Sequence, residues 1–347
     1  MKKSSPARKF IAMFMCIIMV LPLSACGEGK MIQNQVYAMN NIITVTAYGN
    51  SAEKGISSAL STIMALDALV DPNQKTSSTY ALNNAQGETV VVTGMIAEML
   101  LKAKDVYEKS GGSYDPTIDP LVSRWGFNDG KYYTPTDEEI LLDLSLLCMD
   151  QITIDKYPNS GSYTVTLPSF GSLSFASCAR GCASQYAIDA MRKQGVSSAI
   201  VSSAGNVQTL GVKPDGSNWT VGITDPNDPS TYLGTVSVGE TAIITSGGYS
   251  RTMPSNPKYH HILNPKSGYP TSNGVVSVTV LCEDGTTADC LSTAMVVLGK
   301  SGAIKYWQTN GGFEMIIITD DNKITCTSGL IEKFDLKNRN YTLNFVE

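Results

Sequence analysis

Histidine is almost absent from this chain: among 347 residues there are two, His260 and His261, side by side. Any histidine chemistry is therefore confined to one short stretch. Charge is sparse as well, with 16% of residues charged and no basic patch. Binding to nucleic acid through its phosphates depends on clustered Lys and Arg, so that class of function has little support. Zinc-type cysteine pairs are missing too: no C-x-x-C occurs, and no histidine lies near a cysteine. No internal repeat or low-complexity linker divides the sequence.

What is present is globular in character. Apolar residues make up 42% of the chain, and its length suits one large domain or two average ones. Lys2, Lys3, Arg8 and Lys9 form a positive start with no acid before residue 26, followed by an apolar run over residues 10–21. That run is too short and too one-sidedly flanked for a typical membrane span. It leads into Leu23-Ser24-Ala25-Cys26, which resembles the bacterial lipobox. The expectation is a signal peptide over 1–25, acylation at Cys26, and anchoring at the extracytoplasmic face of the cell membrane. Cleavage takes the basic count from 26 to 22 against 31 acids, so the mature chain carries about −9. Cys16 leaves with the signal. Six cysteines remain, and the spacing of Cys178 and Cys182 justifies a disulfide test.

Residues 26–36 read as a polar tether and 37–347 as one mixed α+β domain. Alternation with β-branched residues predicts a strand over 42–48. Apolar spacing predicts helices over 51–70, 94–109 and 184–194. Thr136 with Glu139 forms a capping box for another, through Leu147. Further strands are predicted over 198–201, 219–223, 236–238, 242–245, 275–281 and 315–319. A late helix over 289–298 closes at Gly299.

Two segments carry candidate chemistry. His260 and His261 sit in extended chain before the Pro265 to Pro270 loop, so they should face opposite ways and only one can serve a given site. In Thr287-Ala288-Asp289-Cys290-Leu291-Ser292-Thr293, a helix beginning near Ala288 would put Asp289 and Thr293 on one face, able to share a hard cation.

These segments occur in order with Thr245-Ser246-Gly247-Gly248-Tyr249-Ser250-Arg251, with the Tyr114 to Phe127 stretch, and with Asn218-Trp219-Thr220-Val221-Gly222-Ile223-Thr224-Asp225-Pro226. From about Met39 to Trp307 the constellation resembles the ApbE family of Mg²⁺-dependent FAD:protein FMN transferases. The resemblance implies a T-fold-related, two-lobed single domain of α+β class. It implies FAD as substrate, Mg²⁺ against its pyrophosphate, and transfer of FMN to a Thr or Ser of an exported acceptor flavoprotein. By the same resemblance Asp289 and Thr293 match metal-ligand positions, with Ser292 between them and Ser177 adding a ligand. His261 is the candidate base. Met39, Asn73, Ser113, Tyr114, Asp115, Ser174, Arg180, Thr245 and Leu263 would line the flavin or adenosine site.

The ligand loop departs from the family pattern. Where relatives have Asp-Leu-Gly-Gly-Ile-Ala-Lys-Gly, this chain has Ser174-Phe175-Ala176-Ser177-Cys178-Ala179-Arg180-Gly181. Ser174 replaces an acid, and Ala176 and Ser177 replace two glycines. Asn41 replaces a Thr, Asn73 stands where relatives have Tyr or Thr, and Ser202 to Asn206 alters a second loop. Two alternatives to the transferase follow: an FAD pyrophosphatase releasing FMN and AMP, or a flavin-binding lipoprotein with weakened catalysis.

Overall fold

In the computed structural model, the structure describes residues 30–347. The signal segment and Cys26 lie outside the described residues.

The chain opens with the hairpin β1 (Met31–Ala38) and β2 (Asn41–Tyr48), then α1 (Ala52–Val70) and the short α2 (Ser78–Asn83). Next come β3 (Val90–Thr93), α3 (Gly94–Lys109), α4 (Asp119–Arg124) and α5 (Asp137–Leu144). Strands β4 (Thr153–Lys156) and β5 (Ser162–Thr166) precede α6 (Ala179–Lys193). Then follow β6 (Ala199–Ser203), β7 (Asn206–Leu210), β8 (Trp219–Asp225), β9 (Asp228–Val238) and β10 (Ala242–Gly247). The ribbon β11 (Thr252–Met253) and β12 (Asn256–His260) leads to β13 (Val275–Cys282) and α7 (Gly285–Asn310). The chain ends with β14 (Glu314–Thr319), β15 (Lys323–Thr327), β16 (Phe334–Leu336) and β17 (Thr342–Val346).

A nine-stranded sheet in the order β1-β2-β6-β7-β10-β13-β14-β15-β17 organises everything else. Its strands alternate as a sheet covered on both faces must. Val278 and Val280 of β13, with Met315 and Ile317 of β14, face the helices; Leu281, Ile316 and Ile318 face the other way. On the helical side they meet Ile56, Ile63 and Leu66 of α1, Leu100 of α3 and Met191 of α6. Each such side chain contributes about 1.5–3 kcal/mol when fully buried. The opposite face is covered by the three-stranded sheet β16-β9-β8 through Trp219, Ile223, Leu233 and Phe334. A third, smaller cluster joins Leu121, Trp125, Phe127, Ile140, Met253 and Leu263. Trp125 Nε1 donates to the Gly268 carbonyl at 2.9 Å, and Arg124 grips Asp143 at 2.8 and 3.0 Å.

Several expectations need correction. The tether of 26–36 gives way at Met31, because β1 pairs along its whole length with β2 despite its polar side chains. Helix α5 keeps the capping box but stops at Leu144, short of Leu147. Helix α6 begins at Ala179 instead of 184, extended by the segment expected to be a ligand loop. Helix α7 starts at Gly285, capped by Asp284, whose carboxylate accepts the Thr287 N–H at 2.8 Å. Asp289 therefore lies in its second turn instead of its first. Gly299 does break this helix, at φ 71 and ψ 171.

Candidate active site

The residues expected on the metal side lie where α6 meets α7. Contact there is close because both partners are glycine: a Cβ on Gly181 would lie 2.1 Å from the Gly285 carbonyl oxygen and 2.7 Å from Asp289 Cβ. This approach lets the Gly181 N–H donate to Asp289 Oδ2 at 2.8 Å, with Asn206 Nδ2 donating to the same oxygen at 3.3 Å. Among the described residues nothing donates to Oδ1. Burial raises the Asp289 carboxyl to about 6, against the pull of the Arg180 charge and the two donors. One turn on, Ser292 and Thr293 meet the Ser246 hydroxyl at 2.7 and 3.1 Å. The Ser292 hydroxyl also donates to the Asp289 carbonyl at 2.9 Å. Ser177 joins from the side, its hydroxyl 3.0 Å from Tyr114 Oη.

Does this donor set suit a metal? Among the described residues no group of three or more His, Cys, Asp or Glu side chains converges. Asp289 is the one carboxylate, surrounded by hydroxyls, and the buried Asn206 Oδ1 has no partner. Hard oxygen donors with a single carboxylate fit Mg²⁺, which binds through few carboxylates plus phosphates and water, and do not fit zinc. The neighbouring Cys178 thiol is pushed well up by its hydrogen bond to Cys290 and by burial, so it is a poor ligand.

The two histidines do part company. His260 points inward: its ring packs against Gly248, where a Cβ would lie 2.5 Å away, and Nε2 bonds the Thr271 carbonyl at 3.0 Å. His261 lies on the other side, tied to Arg251. Its backbone N–H donates to the Arg251 carbonyl at 3.2 Å, and its Nδ1 lies 3.3 Å from the same oxygen. A carbonyl only accepts, so Nδ1 carries the proton and Nε2 keeps its lone pair. Burial first, then the Arg251 charge, lowers the His261 pKa to about 3. His261 is a neutral imidazole at neutral pH.

Arg180 links the two halves. Its charge acts on both Asp289 and His261, and its buried Nε has no hydrogen-bond partner.

The remaining expected residues are placed less directly. Thr245 on β10 meets Thr279 at 2.8 Å. Ser174 is tied to the neighbouring loop through its N–H and the Pro116 carbonyl at 2.9 Å. Ser113 and Asp115 spend their side chains locally, on the Ser110 carbonyl and on Thr117 respectively. Leu263 packs into the Trp125 cluster. Met39 occupies the β1–β2 turn at φ 51, its N–H donating to Asp67 at 2.8 Å. Asn73 sits on an exposed turn after α1. Cys178 and Cys182 are both free and buried, so the disulfide between them is not formed. Three contributors were not singled out from sequence: Ser246, Asn206 and Arg251. Ser246 and Arg251 lie inside a stretch that carried the resemblance, which was the available signal; Asn206 ends the loop that departs from the family pattern.

Comparison with known proteins bears on the family and the fold. The family model described as ApbE family matches residues 39–317. An FAD:protein FMN transferase of Treponema pallidum is 25% identical over 361 residues, covering 98% of this chain and 99% of that protein. The crystal structure of a Pseudomonas stutzeri flavinyl transferase ApbE, apo form, superposes with a TM-score of 0.78 at 25% identity, covering 90% of this chain and 99% of the other. The ApbE protein of Thermotoga maritima gives 0.79 at 24% identity, over 87% and 98% of the respective chains, a likeness of fold.

Proposed function

The chain belongs to the ApbE family, and from that premise we propose that it is a Mg²⁺-dependent FAD:protein FMN transferase acting on a Thr or Ser of exported proteins. The observation that supports this reading is the oxygen-rich cluster at the start of α7, where Ser246 meets the Ser292 and Thr293 hydroxyls one turn from the buried Asp289 carboxylate.

Asp289, Thr293 and the Ser246 and Ser292 hydroxyls would hold Mg²⁺, with Ser177 as a further oxygen nearby. The cation would supply charge neutralisation for the pyrophosphate. His261 does the proton work. With Nδ1–H donated to the Arg251 carbonyl, Nε2 accepts the proton of the acceptor hydroxyl. The freed oxygen forms a bond to the phosphorus of the FMN half. The bridging P–O bond breaks, and AMP leaves with its electron pair. Burial depresses the basicity of His261 first and the guanidiniums second; the arriving diphosphate would offset the guanidinium part, so that substrate binding would strengthen the base. An acyl chain on Cys26 would place this chemistry at the extracytoplasmic membrane face, where exported acceptors are found.

The test is mass spectrometry of a Thr-containing acceptor peptide incubated with FAD, Mg²⁺ and the protein. Peptide heavier by FMN supports transfer. FMN released free, with unmodified peptide, would make the protein a pyrophosphatase, and FAD bound without turnover would make it a flavin-binding lipoprotein.

A further inference from the structure

Arg251 is the second guanidinium of this site, and among the described residues no acid compensates it. It closes the short helical turn Gly248–Ser250 after β10. Nη1 donates to the Phe127 carbonyl at 3.4 Å, a marginal bond to a neutral group. The groups acting on its charge are Arg180, which repels it, and the Tyr132 phenol; no carboxylate is among them. Two other arginines are settled differently: Arg124 is bound bidentate by Asp143, and Arg192 pairs with Asp189 and Glu240. Arg251 is also exposed, so its guanidinium is accessible to a solute.

Two guanidiniums that repel each other, one with a buried unpartnered Nε, form an arrangement at odds with the rest of the protein until an anion arrives. Such local conflicts belong to functional sites. The guanidinium fork matches two phosphate oxygens at once. The Arg251 carbonyl anchors His261 and the Arg251 charge acts on its ring, so a phosphoryl group held by this side chain would sit near the imidazole.

We propose that Arg251 is a substrate-binding residue, taking the phosphoryl oxygens on the flavin side of the dinucleotide diphosphate while Arg180 serves the same anion from α6. The assignment rests on the flavin-dinucleotide reading and deepens it by naming the anion contact beside the base.

Calorimetric titration of the full chain with inorganic pyrophosphate, in EDTA, tests the anion site directly. Arg251→Gln should weaken binding about 10- to 100-fold, the range for losing charge-assisted hydrogen bonds. Arg251→Lys should recover part of it, and Arg339→Gln, at an exposed position, should change nothing. In parallel fluorescence titrations Arg251→Gln should lower affinity for FAD and leave riboflavin unaffected. Equal pyrophosphate affinity in wild type and Arg251→Gln overturns the proposal, as does no binding by wild type. So does an equal loss for riboflavin and FAD, which would mark Arg251 as a support of the fold. If wild type and Arg251→Gln bind FAD equally, Arg251 is misassigned and the flavin reading stands. If pyrophosphate binding depends on Arg251 and no flavin binds, the flavin reading fails and the anion site stands.

Discussion

Replacing Asp289 by Asn should make the metal-free protein more stable above pH 6. The carboxyl is buried on α7 and titrates at about 6 instead of 3.8, because burial opposes ionisation more strongly than Arg180, Gly181 and Asn206 favour it. A raised acid pKa means that the folded state binds more protons than the unfolded state between the two values. Stability is therefore lost as pH rises through that window. About two pKa units correspond to about 3 kcal/mol, the cost fully developed above the folded pKa. Asn can still accept from the Gly181 N–H and Asn206 without ionising. In EDTA the variant and wild type should melt within about a degree of each other near pH 4, with a gap of about 4–6 °C by pH 7.5 for a domain of this size. Adding Mg²⁺ should stabilise the wild type and close the gap, leaving the variant unmoved. The assay is thermal unfolding followed by circular dichroism from pH 4 to 8. A gap independent of pH, or a variant less stable at pH 7.5, would refute the idea that the protein keeps this charge at a desolvation cost.

Other substitutions probe the remaining parts. His261→Ala should lower turnover about 10² to 10⁴-fold and spare FAD affinity, as checked by single-turnover kinetics and flavin titration. His260→Ala should instead cost about 1–3 kcal/mol in urea unfolding, since its ring is packed on Gly248 and bonded to Thr271. Gly181→Ala should separate α6 from α7, lowering stability by about 1–3 kcal/mol and weakening Mg²⁺ binding measured by calorimetry. Cys26→Ser should move the protein from the membrane fraction to the soluble fraction.

How much of this was legible beforehand depended on where the information lies. Helices α1 and α3 have apolar stripes that advertise themselves, and their limits were readable to within a residue. Strand β1 was not: Gln33, Asn34 and Gln35 look like linker, and the strand exists because β2 offers it a backbone partner. The start of α7 was misplaced because its cap, Asp284, precedes Gly285, a residue that reads as a turn until Gly181 is seen against it. Asp289, Thr293 and His261 were visible through the order of the motifs. Ser246 and Asn206 were not, since a hydroxyl or amide becomes part of a site only through neighbours far along the chain. Arg251 was passed over for the same reason: an arginine without an acid cannot be recognised before the structure shows that none is near.

The early start of β1 has a consequence for reach. With Met31 already paired to Tyr48 at the edge of the sheet, only five residue steps separate it from Cys26. A fully extended chain covers about 3.5 Å per residue, so a lipid on Cys26 would leash the domain to within about 18 Å of the bilayer surface. On so short a lead the enzyme would patrol a thin layer above the membrane. An acceptor would have to present its hydroxyl inside that layer, and lengthening the leash with a flexible insert before Met31 should widen the set of sites it can modify.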